Sequence, residues 1–177
     1  MKDTYFYLPK EKQRRLATLY TEDSSKLVKK ASDVFDVNGD VISNYPNIAG
    51  TYFSGGGGLS STALDYAIFM QMLMNGGEYN GKRILSRASV NMMTVSQFDK
   101  INWPDTKMGL GFSINTEKSM ASSPLSPGSY SWGGMFSSSF WIDPKEKIVA
   151  QLFLSEFPQS QGEIHDKFKV LVYQALR

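Results

Sequence analysis

The segment of this chain best suited to hold a reacting group is Tyr130-Ser-Trp-Gly-Gly-Met-Phe136, a run of bare backbone set among aromatic residues. Glycine inside a strand packs nothing and weakens the ladder, so the pair Gly133-Gly134 marks a place where a ligand or another backbone comes close. Trp132 beside it either faces that ligand or serves as a core aromatic, and the sequence leaves both open. A second constellation is Ser131, Asp143 and His165, which follow the chain order of an α/β-hydrolase triad. Ser129-Tyr-Ser-Trp-Gly133 misses the nucleophile-elbow pattern only at its first glycine. That elbow needs a strand-to-helix turn, however, and the residues after Ser131 read as more strand. His165 between Glu163 and Asp166 reads as a solvated helix residue. A third feature, Ser54-Gly-Gly-Gly-Gly-Leu-Ser-Ser-Thr62, leads into a helix N-terminus, a geometry suited to anions. It lacks the Gly-Lys-Ser/Thr ending of a phosphate loop, because Leu59 follows the last glycine, so it reads as a tight turn feeding a capped helix. The acids Asp65, Glu117, Asp143 and Glu156 show no pairing that would suggest glycosidase chemistry.

Composition narrows the chemistry further. The 177 residues contain no cysteine and one histidine, which excludes thiolate catalysis, disulfides, Cys-ligated zinc and a His-rich metal site. Neither a cofactor nor a metal is expected. A net charge of +2 with 41% hydrophobic and 20% charged residues is ordinary for a globular protein. Lys26, Lys29 and Lys30 read as a solvated face, so no nucleic-acid partner is expected. Met1–Pro9 holds no apolar run of signal-peptide length, and no segment is long enough to span a membrane.

Several elements must position these residues. Pro9 to about Leu19 can start a helix with proline at its first position. Short strands follow, with Asn38-Gly39-Asp40 as a turn between Val37 and Val41. Thr62 caps a clear helix, with Asp65 as a weak capping-box partner. Leu64, Ile68, Met72 and Leu73 fall on one stripe, and Phe69 and Met70 widen it, so the helix packs on more than one side. Gly76-Gly77 ends that helix and Asn80-Gly81 makes a hairpin. Ser86 caps a second helix to about Thr94. Residues 96–107 read as loop, Met108–Ile114 as a strand, and 115–129 as a Ser/Pro/Gly-rich connection. Two long strands, Ser129–Ile142 and Ile148–Ser155, are joined by the turn at Asp143-Pro144. A final helix over Gln161–Leu176 places Ile164, Phe168, Leu171, Val172 and Ala175 against one face of a sheet. Helices first, then antiparallel strands, then a packing helix make an α+β pattern.

Taken in order, these segments resemble the serine β-lactamase, penicillin-binding protein and esterase superfamily. Met1-Lys-Asp-Thr4 resembles the "GM-x-D-T" junction, and Gly57–Phe69 the glycine turn with its "S-T-x-x-D-x-x-x-F" helix. Asn75–Leu85 is similar to "G-G-x-x-x-G-K-x-L-L", and Met108-Gly-Leu-Gly-Phe112 to the strand before the third active-site motif. Trp132-Gly-Gly134, Phe140-Trp-Ile-Asp-Pro144 and the last helix complete the set.

The resemblance implies part of a β-lactamase-like fold, with 1–107 as the remainder of a helical region bearing short strands and 108–177 as sheet strands plus the C-terminal helix. It implies acyl transfer through a serine ester, with the nucleophile on a Ser-x-x-Lys helix and a second motif Tyr-x-Asn. No serine stands three residues before a lysine here, and Tyr45-Pro-Asn47 lies on the wrong side of Met1–Thr4 to be the second motif. The chain is therefore expected to be a C-terminal part of such a hydrolase, inactive alone, or else a non-catalytic binding or accessory module. The carried-over site is Trp132, Gly133 and Gly134 as the third motif, with the Met135 N–H as the oxyanion donor. Tryptophan where the lactamase form has lysine removes a partner for a substrate carboxylate and favours neutral acyl substrates, as in the esterase branch. The expected partners are a small ester or amide substrate, the N-terminal half of the fold, and a second copy through an exposed sheet edge. Related bacterial proteins suggest a periplasmic or exported parent.

Overall fold

The computed structural model describes residues 1–31, 34–37, 40–43, 46–47, 49–98, 105–160 and 162–176. Local signals decide the first elements. Helix α1 spans only Lys10–Gln13, with Pro9 at its N-cap in extended conformation rather than inside the helix as expected. Strands β1 (Tyr20–Glu22) and β2 (Val28–Lys30) form an antiparallel pair, as do β3 (Val34–Val37) and β4 (Asp40–Ser43). The turn expected at Asn38-Gly39 lies outside the described residues.

Thr62 caps helix α2 (Ala63–Met74), its Oγ1 accepting from the Asp65 N–H at 3.2 Å. Asp65 does more than complete a cap. Its buried carboxylate accepts from the backbone N–H groups of Lys2 and Asp3 at 2.8 and 2.7 Å, and from the Thr4 hydroxyl at 2.9 Å. Burial pushes this carboxyl up, but those donors outweigh it and hold the group below the usual carboxylate range. Along α2, Met70 and Leu73 are buried at 1% exposure and Met72 at 6%, on more than one side as expected. Leu64, expected on that stripe, is instead 73% exposed. It lies in the first turn, where the polar anchoring by neighbouring Asp65 decides which side faces inward.

Gly76 and Gly77 stop α2 in a Schellman arrangement: Gly77 N–H bonds Met72 O and Gly76 N–H bonds Leu73 O, both at 2.9 Å. Asn80 and Gly81 then turn β5 (Glu78–Tyr79) into β6 (Lys82–Arg83) with φ of 48° and 72°, the paired left-handed conformation of a two-residue hairpin. A Cβ at Gly77, where φ is 98°, would lie 2.2 Å from the Leu85 carbonyl oxygen, whereas one at Gly81 meets nothing within 4 Å. Gly81→Ala is expected to cost roughly 1 kcal/mol from backbone strain. Gly77→Ala is expected to cost about 3 kcal/mol, because backbone must move as well. Urea unfolding of the two variants measures the gap, and equal costs would contradict the packing argument.

Helix α3 (Arg87–Met93) starts at Ser86, whose hydroxyl accepts from Ser89 N–H at 2.9 Å. The strand expected over Met108–Ile114 is two strands, β7 (Thr106–Met108) and β8 (Ser113–Asn115), paired antiparallel. The turn between them is fixed from outside: a Cβ at Gly109 would lie 2.2 Å from Met93 O, and Gly111 has φ 88°. A 3-10 helix over Glu117–Ala121 follows, capped by Thr116. Strands β9 (Tyr130–Gly134), β10 (Ser138–Asp143) and β11 (Ile148–Phe153) complete a five-stranded sheet in the order β11-β10-β9-β8-β7. Helix α4 (Glu163–Gln174) closes the described chain.

The chain divides into two compact units. The first holds Met1–Tyr66, Gly134–Ser137 and Leu154–Ser160, joined internally where Tyr20 N–H bonds Ser155 O and Phe157 N–H bonds Tyr20 O at 2.8 and 2.9 Å. The second holds Ala67–Gly133, Ser138–Phe153 and Gln161–Arg177, with its core on Phe112, Ile114, Tyr130, Phe140, Trp141 and Ile142.

The face that α4 turns to the sheet differs from the expected stripe. Phe168 and Tyr173 pack on Trp141 with ring centroids 5.5 and 6.5 Å apart, while Ile164 and Leu171 are 38% and 64% exposed. Two polar anchors select that rotation, His165 on Ser139 and Tyr173 on Asp143. Hydrophobic spacing alone does not see them.

Candidate active site

Strand β9 lies between β8 and β10, with Ser131 opposite Ser113 and Tyr130 opposite Ile114. The segment Ser129–Ile142, expected to be one strand, is a hairpin that turns at Met135-Phe136-Ser137. Three-residue hairpin loops place their last residue in the left-handed region, and Ser137 takes that role with φ 60°. A serine accepts this conformation here because its hydroxyl donates to Glu156 O at 2.8 Å. The bare-backbone pair therefore falls at the end of a central strand, just before the turn. A Cβ added at Gly133 would come within 3.1 Å of Ser138 O, tighter than ordinary contact.

Alternation along the strands tells which face carries what. On β10, Ser139 and Trp141 meet His165, Phe168 and Tyr173, so that face belongs to α4. The opposite face carries Phe140 and Tyr130, both in edge contact with Phe112 at 6.2 and 5.3 Å. Burial pushes the Tyr130 phenol up to about 12, so it stays protonated near neutrality. Trp132, two residues beyond Tyr130, shares that face, away from α4. It is 42% exposed and Met135 is 50% exposed, with Gly133 and Gly134 exposed between them. The reading of Trp132 as a core aromatic is thereby excluded.

The hydrolase triad is not assembled. His165 Nδ1 lies 2.8 Å from Ser139 Oγ, not from Ser131. The Asp143 carboxylate, fully buried, is committed elsewhere: Oδ2 accepts from Ser126 N–H at 3.0 Å and Tyr173 hydroxyl at 2.6 Å. Its Oδ1 accepts from Lys145 and Glu146 N–H, both at 3.1 Å, which makes the turn expected at Asp143-Pro144. Burial raises this carboxyl, but the Tyr173 hydroxyl and the Ser126 and Glu146 amides outweigh it and hold it below the usual range. Tyr173 in turn is raised by burial and by that carboxylate. Sequence reading saw Asp143 as a turn former; the Tyr173 spacing held no signal for the buried pair. A Cβ added at Gly55, Gly56 or Gly57 would meet nothing within 4 Å, and the turn they form is closed by Gly58 N–H bonding Ser54 O at 2.9 Å. Tyr45 of the Tyr-x-Asn look-alike lies outside the described residues.

An antiparallel sheet with a C-terminal helix on one face agrees with comparison to known proteins. The family model for beta-lactamase matches residues 1–174, and the chain belongs to the beta-lactamase family. Protein Rv1367c of Mycobacterium tuberculosis is 29% identical over 172 residues, covering 89% of this chain and 40% of the relative. Among solved structures, EstCE1, a hydrolase with promiscuous acyltransferase activity, superposes on 98% of this chain with TM-score 0.78 and 23% identity. The LovD6 mutant of simvastatin synthase from Aspergillus terreus gives TM-score 0.78 at 19% identity. The chain spans 47% of each of these two structures, which share its fold. The α+β, β-lactamase-like architecture expected from the sequence is the one observed.

Proposed function

We propose that this chain supplies the C-terminal, substrate-lining part of a serine acyl hydrolase that acts on neutral esters. Trp132-Gly133-Gly134 lines the acyl group, and the Met135 N–H donates to the oxyanion of the tetrahedral intermediate. The observation that carries this reading is Trp132, exposed at the head of bare backbone on the sheet face turned away from α4. A tryptophan offers a broad apolar surface and a single N–H donor, so it does not attract a substrate carboxylate as a lysine would. The similarity to a hydrolase with promiscuous acyltransferase activity supports the same chemistry, and half-length coverage of it and of the simvastatin synthase is consistent with a nucleophile carried by sequence other than these 177 residues. The N-terminal half of the fold is then the principal partner.

Assays with nitrophenyl esters and with nitrocefin test the proposal. The chain alone is expected to turn over neither. Joined to a Ser-x-x-Lys and Tyr-x-Asn half, it is expected to hydrolyse nitrophenyl esters in preference to nitrocefin. Turnover by the isolated chain, or a preference for nitrocefin, would overturn it. Saturable binding without turnover in the joined form would identify a non-catalytic module instead.

The same proposal includes self-association of the isolated chain. Strand β11, Ile148-Val-Ala-Gln-Leu-Phe153, forms one edge of the sheet with no charge and no proline to blunt it. Light scattering is expected to show concentration-dependent dimers that Val149→Lys suppresses; a monomer at all concentrations would count against the edge.

A further inference from the structure

The turn that carries Met135 is held from outside its own hairpin. Gly134–Ser137 belongs to the first compact unit together with Leu154–Ser160, whereas the residues on either side of it belong to the second. Three bonds join the two segments. Ser137 Oγ donates to Glu156 O at 2.8 Å, Leu154 N–H donates to Ser137 O at 3.3 Å, and Glu156 N–H donates to Phe136 O at 3.4 Å. Residues 154–157 are fastened in turn to Tyr20, whose N–H bonds Ser155 O at 2.8 Å and whose carbonyl accepts from Phe157 N–H at 2.9 Å.

These lengths rank the clamps. An amide bond to a carbonyl is best near about 2.9 Å and loosens beyond about 3.2 Å, so both backbone contacts to the turn are long. The hydroxyl bond lies at the usual length for its type and is the tight one. Something must hold this turn, because Gly133 and Gly134 lead into Met135 without a Cβ to restrict its peptide plane. Ser137 closes the other end of the turn with φ 60°. A glycine would take that conformation at no steric cost, so what the serine adds is the hydroxyl bond across to residue 156.

We infer that Ser137 is a positioning residue for the acyl chemistry proposed above: its hydroxyl, tied to the Glu156 carbonyl, orients the Met135 N–H toward the oxyanion. The inference rests on Met135 being the oxyanion donor. Ser137 touches no reacting atom and acts only through the turn. A misplacement of about 1 Å can cost on the order of 10² in rate. The two longer backbone bonds remain when the hydroxyl is removed, so the expected loss is smaller, about tenfold.

Steady-state kinetics of the polypeptide that joins this chain to its nucleophile, read together with amide exchange by NMR, test the inference. Ser137→Gly accepts φ 60° freely and lacks the hydroxyl, so it is expected to fold. Its kcat is expected to fall about tenfold with KM within about twofold of wild type, since the donor acts on the transition state. The Leu154 and Glu156 amides, which donate into the turn, are expected to exchange about tenfold faster in that variant. Ser137→Ala is expected to show the same kcat loss. A loss in Ser137→Ala alone would show that only the backbone conformation matters, and would overturn the inference. So would a rise in KM that carries the whole loss, or unchanged exchange at both amides. Wild-type kcat in Ser137→Gly beside a slow Met135→Pro strikes Ser137 and leaves Met135 as the donor, whereas full activity in both removes both residues.

Discussion

Replacing Asp143 with alanine is expected to lower stability by about 3–5 kcal/mol, since it strands the buried Ser126 N–H and the part-buried Tyr173 hydroxyl and frees the two turn amides. The carboxylate is fully buried and ties three separate pieces of the second unit together. Ser126 N–H comes from the connection after the 3-10 helix, Tyr173 from α4, and Lys145 and Glu146 from the β10–β11 turn. Removing both partners of a buried bond can be neutral, but removing one leaves the full desolvation penalty on the other. Tyr173→Phe is the gentler break, expected at about 1–2 kcal/mol, because Asp143 keeps its three amide donors. Urea unfolding should show a lowered midpoint at unchanged slope for both. An Asp143→Ala loss below that of Tyr173→Phe would show that the carboxylate is not the hub.

The same group sets the acid limit. Asp143, Asp65 and Asp3 are all held below their ordinary value of 3.8, Asp3 to about 2 by the Lys12 and Arg15 cations. The unfolded chain therefore takes up protons at higher pH than the folded one. Their stabilisation is complete above the ordinary carboxylate range and is lost as pH falls from 3.8 through the folded values. The wild type is expected to lose stability steeply below about pH 4, and the Asp143→Ala protein less steeply, since one depressed group is gone. Parallel acid limbs would contradict the assignment.

What the sequence reveals and what it hides follow the range of the interactions. Asn80-Gly81, the glycine stop at 76–77 and the caps at Thr62 and Ser86 act within a few residues, and the structure has each where spacing places it. The two hairpins that read as single strands turn on distant partners instead: Gly109 yields to the Met93 carbonyl, and Ser137 is held by the Glu156 carbonyl. The rotation of α4 is likewise a tertiary choice, made by His165 and Tyr173 rather than by Ile164 and Leu171. The bare backbone at Gly133-Gly134 is visible in the sequence as a local signal, but its place at a strand end before a turn is not. The Asp143 pairing is not visible either, since its partners lie 17 and 30 residues away.

If the proposed acyl chemistry is right, the largest kinetic effect lies at Met135. Met135→Pro, in the polypeptide that joins this chain to its nucleophile, is expected to lower kcat by about 10²–10³ with little change in KM. The residue opens the hairpin turn and its side chain is 50% exposed, so the swap deletes an N–H donor and removes little packing. A donor that strengthens only as the oxyanion forms contributes to the transition state and not to substrate binding, which is why kcat carries the loss. Met135→Ala keeps the N–H and is the control, expected within a few-fold of wild type. Trp132→Lys separates substrate choice from rate: it restores a cation at the head of the motif, so it should favour carboxylate-bearing substrates over neutral nitrophenyl esters while the oxyanion donor stays in place. A proline variant as active as the alanine variant, with both folded by circular dichroism, would remove Met135 from the catalytic machinery.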